Sequence, residues 1–369
     1  MQIKKYGRIV ILTLLITLII ISQTACKSNG NGENQGVSKT GFFLDTVCTV
    51  TIYGISDESG EMAKLSKEEL EKDLLMLITD AFKQCSEYEK ILSKTIDGSE
   101  IFQINQSGGD KVKVSDVTVD VLQKGIEYGN LSEGVFDITI GKATDLWDFH
   151  DDEHTGKIPS EELLDEAVKH VDYRNIEIED NFVRLKDPET EINLGGVAKG
   201  YIADRIAEYL EKRGVVSAIV DLGGNIVAIG SKSAELVVDA EQVADNEQRD
   251  FRIGIKNPKD SSGNLLGTVP CSDKTVVTSG TYERFFEADG KKYHHVLDVK
   301  TGYPVNTDVL SVTIIGDKGK SADCDALSTT CLALGLEKGM KLIKSMDGFE
   351  AVFVNEEGEI FTTGDFLKN

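Results

Sequence analysis

The sequence predicts an α+β protein in which mixed sheets pack against helices in a single compact body. Predicted strands and helices follow one another without the strict alternation of a doubly wound parallel sheet. No internal repeat is evident, and no linker after residue 40 separates two domains. The 369 residues, of which 40% are hydrophobic, suffice for one large core.

After residue 40, the first half of the chain predicts one strand, three helices and a hairpin. Residues 42–53 are rich in β-branched and aromatic side chains, which favour strands. Ser66-Lys67-Glu68-Glu69 is a capping box, and apolar residues at helical spacing follow it as far as Cys85. Further predicted elements are helices over 117–128 and 160–171 and a hairpin of 175–178 with 182–185.

The second half alternates between glycine-containing turns and regular elements. A helix over 201–213 has one apolar face and ends at Gly214. Helices over 322–334 and 337–346 are separated by Gly335. The predicted strands cover 215–221, 226–229, 251–255, 275–279, 294–298 and 310–315, followed by a hairpin of 351–355 with 359–363.

The first 25 residues are typical of an export signal. Three basic residues precede an apolar run over 9–21, which is too short to span a bilayer comfortably. The Ala25-Cys26 junction resembles a bacterial lipoprotein cleavage site, with 26–40 as a flexible tether, although Gln23 stands where Leu is usual. We expect export and lipid anchoring through Cys26 at the extracytoplasmic face of the cell membrane, periplasmic where an outer membrane exists. The alternative is an uncleaved anchor with an unmodified Cys26.

The charge balance restricts the ligands. Forty basic against 63 acidic residues give a net charge of −23. Such a surface argues against nucleic acid and against adhesion to anionic lipid through a basic patch. A phosphate-bearing ligand would need a cation. The six cysteines show neither CxxC spacing nor a Cys/His cluster, so buried thiols are expected rather than a zinc site, with a disulfide left open.

One glycine-rich segment, residues 193–200, leads into a predicted helix. Glycines allow the backbone to approach a ligand, and a helix N-terminus offers N–H groups to an anion. Lys199 would add a cation. The alternative is a tight turn that packs the helix on a sheet.

Three further clusters combine polar residues and glycines in a way that indicates chemistry. The first is residues 132–141, and the second joins 278–284 to 293–304, where His294 and His295 precede Asp298. In the third, Asp325 and Thr329 are four residues apart on a helix, so a carboxylate and a hydroxyl share one face and suit Mg²⁺. The alternatives are Asp as a helix N-cap and a strand that points one His inward and one outward.

Together these segments resemble the FAD:protein FMN transferases of the ApbE type. The similar motifs, in order, are FLDT, SEGVFDITIG, NLGGVAKGYIADR, VDLGGN, TSGTYERFF, YHHVLDVKTGYP and DALSTTCLALG. The resemblance implies an ApbE-like (T-fold-like) fold for a catalytic domain over 41–369. It also implies Mg²⁺-dependent transfer of FMN from the substrate FAD to a Thr or Ser hydroxyl, with release of AMP. The implied acceptors are exported FMN-binding domains of electron-transfer complexes.

The resemblance also implies the site residues. The metal would be held by the carbonyl of Gly196 and the side chains of Asp325 and Thr329. Asp298, His294, His295 and Asp325 remain open as candidates for the general base. The implied FAD contacts are Leu44, Val135, Phe136, Asp137, Asn193, Lys199 and His295. Leu44 and Asn193 depart from the commoner Met and Asp.

Two other function classes stay open. A Mg²⁺-dependent pyrophosphatase that splits FAD into FMN and AMP would need the same site. A lipid-anchored flavin-binding protein would share the export signal and the glycine turns, but it would need no metal pair.

Overall fold

The described structure is organised around one broad sheet. The computed structural model describes residues 34–368, except 58, 148, 150–156, 239–248 and 261. Its helices are α1 (Lys67–Leu92), α2 (Glu100–Asn105), α3 (Asp116–Leu131), α4 (Gly141–Trp147), α5 (Glu161–Val168), α6 (Ala198–Glu211) and α7 (Ser321–Lys344). Its strands are β1 (Val37–Phe43), β2 (Thr46–Ser56), β3 (Val112–Lys113), β4 (Ile176–Glu179), β5 (Phe182–Leu185), β6 (Val215–Leu222), β7 (Asn225–Ile229), β8 (Val237–Val238), β9 (Phe251–Lys256), β10 (Leu265–Cys271), β11 (Lys274–Gly280), β12 (Phe285–Ala288), β13 (Lys291–His294), β14 (Val309–Asp317), β15 (Glu350–Asn355) and β16 (Ile360–Thr362).

The main sheet is antiparallel except at one short strand. Its order is β1-β2-β6-β7-β11-β14-β15-β16, and β8 pairs in parallel with β2. The smaller sheets are β3-β5-β4 and the hairpins β9–β10 and β12–β13. Helices and strands therefore mix without regular β-α-β units, which confirms the predicted α+β class.

The hydrophobic core has three parts. In the largest, Ile78 of α1, Ile206 of α6 and Leu327 of α7 belong to one buried cluster with Val220 and Val312 of the main sheet. A second cluster joins the β9–β10 hairpin to strands β7, β11, β14 and β15. The third surrounds Trp147, whose ring packs against Phe149 and Tyr293. Burial of these apolar surfaces is the main stabilising term of the fold.

Helices α6 and α7 approach each other very closely where both begin. A Cβ on Gly200 would lie 2.2 Å from the carbonyl oxygen of Ser321, so only glycine fits there. Asp204 of α6 accepts the N–H groups of Ser321 and Ala322 and thereby caps α7. Burial raises the pKa of Asp204 to about 6, against the effect of these N–H donors. The crossing places the first turns of both helices side by side.

Several predicted boundaries differ from the structure. The predicted strand 42–53 is a hairpin, because Leu44 and Asp45 form a two-residue turn with φ values of 56° and 54°. Strand β1 begins at Val37, inside the predicted tether, where pairing with β2 orders the backbone. The prediction of a strand over 294–298 is wrong beyond His294, since β13 ends there. Helices α2 and α4 were not predicted; both are short, which weakens any periodic signal.

Other local predictions are confirmed. Ser66 and Glu69 form the capping box at the start of α1. Gly335 has φ 78° and ψ 178° and interrupts α7 where the sequence predicts two helices. The cysteines of the described part, Cys48, Cys85, Cys271, Cys324 and Cys331, are free and buried.

The predicted signal over 1–25, Cys26 and the tether up to residue 33 lie outside the described residues. Among the residues that are described, no helix is both long and apolar enough to cross a membrane.

Candidate active site

The glycine turn before α6 contacts the face of α7 that carries Thr329. A Cβ on Gly196 would lie 2.9 Å from Cε2 of Phe136 and 3.5 Å from Oγ1 of Thr329. The Oγ of Ser279 lies 3.4 Å from the Thr329 Oγ1 on another side. Thr329 is therefore held between the turn and β11, close to the backbone of Gly196.

Asp325 lies one turn before Thr329 on α7 and is buried. Its Oδ2 accepts the N–H of Gly200 at 3.0 Å, and the amide of Asn225 lies nearby, with its buried Nδ2 in no hydrogen bond within the described residues. Burial raises the pKa of Asp325, while the positive charge of Lys199 and the neutral donors act in the opposite direction. The structure thus brings Asp325, Thr329 and the 195–199 turn together.

Asp325 is an N-cap, but for a different helix from the one on which it lies. Gly200 is the third residue of α6, where a capping oxygen normally accepts an N–H. The start of α7 itself is capped by Asp204. The negative carboxylate is therefore directed at the positive end of α6, where an anionic ligand would also bind.

The donor set fits a divalent cation of the Mg²⁺ type. Within the described residues, Asp325 has no ion-pair partner, although an unpaired buried carboxylate is unfavourable. A carboxylate, a hydroxyl and a backbone carbonyl are hard oxygen ligands, and Mg²⁺ commonly combines one or two carboxylates with substrate phosphates. The described part contains no group of three His, Cys, Asp or Glu residues that could hold a metal alone. Asp325, Thr329 and the Gly196 carbonyl would leave coordination positions for water or for phosphate oxygens.

Lys199 lies at the electrostatic centre of the site. Its charge acts on Asp221, Glu283, Asp325 and His295. Glu283 is exposed, yet desolvation by the surrounding protein raises its pKa. Glu283 is therefore a carboxylate that water reaches and that also lies close to the charges of Lys199 and Asp325.

The adjacent histidines occupy different environments. His295 is half-buried, and burial together with the charge of Arg284 lowers its pKa to about 3. Its Nδ1 lies 3.3 Å from the carbonyl oxygen of Arg284, so a neutral ring that donates from Nδ1 keeps a lone pair on Nε2. His294 is buried, and burial lowers its pKa to about 4. His294 therefore belongs to the core and His295 to the site.

Asp298 and His294 are engaged outside the cluster around Lys199. The Oδ1 of Asp298 accepts the N–H groups of Lys300 and Thr301 at 2.7 and 3.1 Å, which fixes the turn after β13. His294 forms a hydrogen bond with the backbone of Val305. Both residues therefore shape the segment that carries His295.

Of the residues predicted to contact FAD, Phe136, Asn193 and Lys199 lie at the turn before α6. Asn193 accepts the N–H of Gly195 through Oδ1 and donates to Thr144 through Nδ2, which holds the turn. The buried Asp137 accepts hydrogen bonds from Thr139 and from the backbone N–H of Tyr173. Half-buried Val135 precedes Phe136, whose ring packs on Gly196.

Leu44 lies at the tip of the β1–β2 hairpin. Its N–H donates to Oε1 of Glu89 at 3.0 Å. The Nη2 of Arg284 donates to the carbonyl oxygen of Asp45, the next residue in the tip. The tip is thereby connected to the segment that holds His295.

The sequence motifs predict no specific role for four residues of the site. They are Asp221, Asn225, Ser279 and Glu283. All four lie within the motifs VDLGGN and TSGTYERFF, so the motifs pointed to the right segments. Nothing in their local pattern shows that a hairpin turn and a strand end meet the first turn of α6.

Comparisons with known proteins show the family of the chain. Residues 44–353 match the ApbE family. The chain is 31% identical over 333 residues to an FAD:protein FMN transferase of Treponema pallidum, covering 88% of this chain and 86% of the relative. A second relative of the same name, from Klebsiella pneumoniae, is 31% identical over 297 residues, covering 77% of this chain and 84% of the relative.

Solved structures show the same fold. The ApbE protein of Thermotoga maritima superposes with a TM-score of 0.73 at 27% identity, covering 89% of this chain and 96% of that one. The apo flavinyl transferase ApbE of Pseudomonas stutzeri gives 0.71 at 25% identity, covering 92% and 96%. The matched residues, the identity to these relatives and the shared fold lead to one conclusion: this chain belongs to the ApbE family.

Proposed function

We propose that this protein transfers the FMN moiety of FAD to a Thr or Ser hydroxyl of an exported acceptor protein, releases AMP, and depends on Mg²⁺. The observation that carries the proposal is that Asp325 contacts the first turn of α6 and Thr329 lies against the glycine turn before it. Hard oxygen ligands, helix N–H groups and Lys199 converge there, which is what a pyrophosphate with a divalent cation requires. The relatives named FAD:protein FMN transferase supply the identity of the flavin donor.

The chain's own residues have separable tasks in this reaction. Mg²⁺ would be held by Asp325, Thr329 and the carbonyl of Gly196. When bound, it would reduce the repulsion between the pyrophosphate and the incoming hydroxyl and stabilise the charge that develops on AMP. Lys199 provides a second positive charge for the phosphate oxygens.

His295 is the candidate that the geometry favours for accepting the hydroxyl proton. Its ring is neutral at pH 7, and Nε2 carries the free lone pair when Nδ1 donates to the Arg284 carbonyl. An anionic substrate nearby raises the basicity of this nitrogen. Asp298 and His294 act as positioning residues, because Oδ1 of Asp298 accepts backbone N–H groups of the turn and His294 forms a hydrogen bond with the Val305 backbone in the core.

The FAD contacts and the cellular location belong to the same proposal. Leu44, Val135 and Phe136 supply apolar contacts at the cleft, while Asp137 and Asn193 hold the surrounding loops. Export with lipidation at Cys26 would place the enzyme beside exported acceptors. A Cys26→Ser variant is then expected to leave the membrane fraction.

One incubation separates transfer from the two alternatives. Purified protein is mixed with FAD, Mg²⁺ and an exported FMN-binding domain, and the acceptor is then weighed by mass spectrometry. A mass gain of one FMN supports the transferase. Free FMN and AMP with an unmodified acceptor would indicate a pyrophosphatase, and bound but intact FAD would indicate a binding protein.

A further inference from the structure

We propose that the outer face of the β1–β2 hairpin tip, formed by Phe42 and Val47, is the docking surface for the acceptor protein. The occupant is the acceptor segment next to the hydroxyl that receives FMN. This inference rests on the proposed function, because it names the partner of the same site. We call Phe42 and Val47 the tip pair.

The hairpin tip reaches the site through two contacts. Arg284 donates to the Asp45 carbonyl and, through its own carbonyl, holds the backbone N–H of His295 at 3.1 Å. Thr46 packs on Gly223, where a Cβ would lie 2.2 Å from the Thr46 Oγ1. Gly223 belongs to the turn that follows Asp221, a carboxylate on which Lys199 acts. Leu44 and Asp45 thus form part of the rim around Lys199.

The side chains on the outer face of the hairpin change from polar to apolar at the tip. Farther from the tip, the facing residues are joined by hydroxyl–hydroxyl hydrogen bonds: Ser38 with Thr51, and Thr40 with Thr49. The next cross-strand pair on this face is Phe42 with Val47, at 68% and 59% exposure. Water solvates the hydroxyl pairs well, whereas two large adjacent apolar groups in water are unfavourable unless something covers them.

The reaction itself requires a protein at this rim. Consecutive Cα atoms are about 3.8 Å apart. When the hydroxyl of an acceptor Ser or Thr attacks phosphorus beside Lys199, the one or two residues on each side of it therefore lie within about 4–8 Å of it. Those residues must pass over whatever borders the site. An apolar contact is also suited to an enzyme with a net charge of −23, which cannot attract an acidic acceptor by charge.

Two other occupants fit the tip pair less well. A stable dimer buries about 800 Å² on each partner, which is far more than two side chains provide. A membrane surface carries anionic lipid, which is unfavourable next to the negative charge of Asp45. Asp45 is exposed and lies between the two residues of the pair in the hairpin turn. A transient enzyme–acceptor contact needs only a small apolar patch beside the reacting groups.

The test compares acceptor kinetics among Phe42→Ser, Val47→Ser and the double variant, with an unmodified exported FMN-binding domain as the acceptor. We expect KM for the acceptor to rise about tenfold in Phe42→Ser and further in the double variant, because part of the burial energy of each side chain is lost. The kcat and the affinity for FAD should stay unchanged, since neither residue contacts Asp325 or Lys199. Met76→Ser is the matched control, an equally apolar site on α1 with 57% exposure.

The outcomes are distinguishable. If the wild type transfers FMN and the double variant has the same acceptor KM, the docking inference is wrong while the proposed function stands. The docking inference is also wrong if the variants change vesicle binding or oligomeric state but not acceptor KM. If the wild type modifies no acceptor, the proposed function fails and the inference fails with it. Thermal unfolding of each variant shows whether a loss comes from misfolding.

Discussion

Replacing Asp325 by Asn separates its chemical role from its structural role. The variant keeps the shape of the side chain and an oxygen that can accept the Gly200 N–H, but it removes the negative charge. Loss of the only carboxylate among the proposed metal ligands should reduce FMN transfer about 10²–10³-fold, or about 3–4 kcal/mol of transition-state stabilisation. The loss should be greatest when Mg²⁺ is scarce.

The stability of the same variant should move in the opposite direction. A neutral acceptor weakens the hydrogen bond from Gly200 by about 1 kcal/mol. Removing a buried carboxylate that has no ion-pair partner in the described structure relieves a desolvation penalty of several kcal/mol. We therefore expect the melting temperature of metal-free Asp325→Asn to equal or exceed that of the wild type.

Asp323→Asn is the matched control on the same helix. Asp323 accepts hydrogen bonds from Nζ of Lys124 and the hydroxyl of Tyr128 at 2.9 and 2.8 Å, away from the turn before α6. This variant should lose about 3 kcal/mol of stability because a buried ion pair is broken, while transfer continues near the wild-type rate. In-gel flavin fluorescence of the acceptor and calorimetry measure the two properties. Wild-type transfer by Asp325→Asn at every Mg²⁺ concentration would refute the metal assignment.

Three further changes test other parts of the site. Thr329→Val removes a hydroxyl ligand and should lower transfer about 10–100-fold and raise the Mg²⁺ requirement. Thr329→Ser keeps the hydroxyl and should keep most activity. A Mg²⁺ titration of the transfer rate measures both effects. Gly196→Ala should abolish FAD binding measured by fluorescence, because its Cβ would lie 2.9 Å from the Phe136 ring. Gly195→Ala should weaken binding less, because its Cβ would meet only the Asn193 Oδ1, at 3.1 Å. His294 has its pKa lowered by burial to about 4, so the unfolded chain binds the proton more tightly. The free energy of unfolding should then fall by about 3 kcal/mol as the pH drops from about 6.5 to 4, and a denaturant series should find this fall reduced in His294→Gln.

Local chemistry explains what could be predicted from the sequence alone. The capping box at Ser66, the break at Gly335 and the shared face of Asp325 and Thr329 depend on residues within one or two turns of each other. The glycine turn before α6 and the order of the motifs were equally readable, and they led to the family. Elements without a local signal, such as α2 and α4, were missed.

Only the tertiary structure decided which polar groups are available for chemistry. Asp204 caps α7 from another helix, which leaves Asp325 to face the first turn of α6. His294 is buried in the core, whereas His295 is half-buried and is affected by the charge of Lys199, although the two are adjacent in the sequence. Hydrogen-bond partners and desolvation come from segments more than a hundred residues apart, and no local pattern encodes them. The sequence determined which side chains are present in each motif, and packing determined which of them face the cleft.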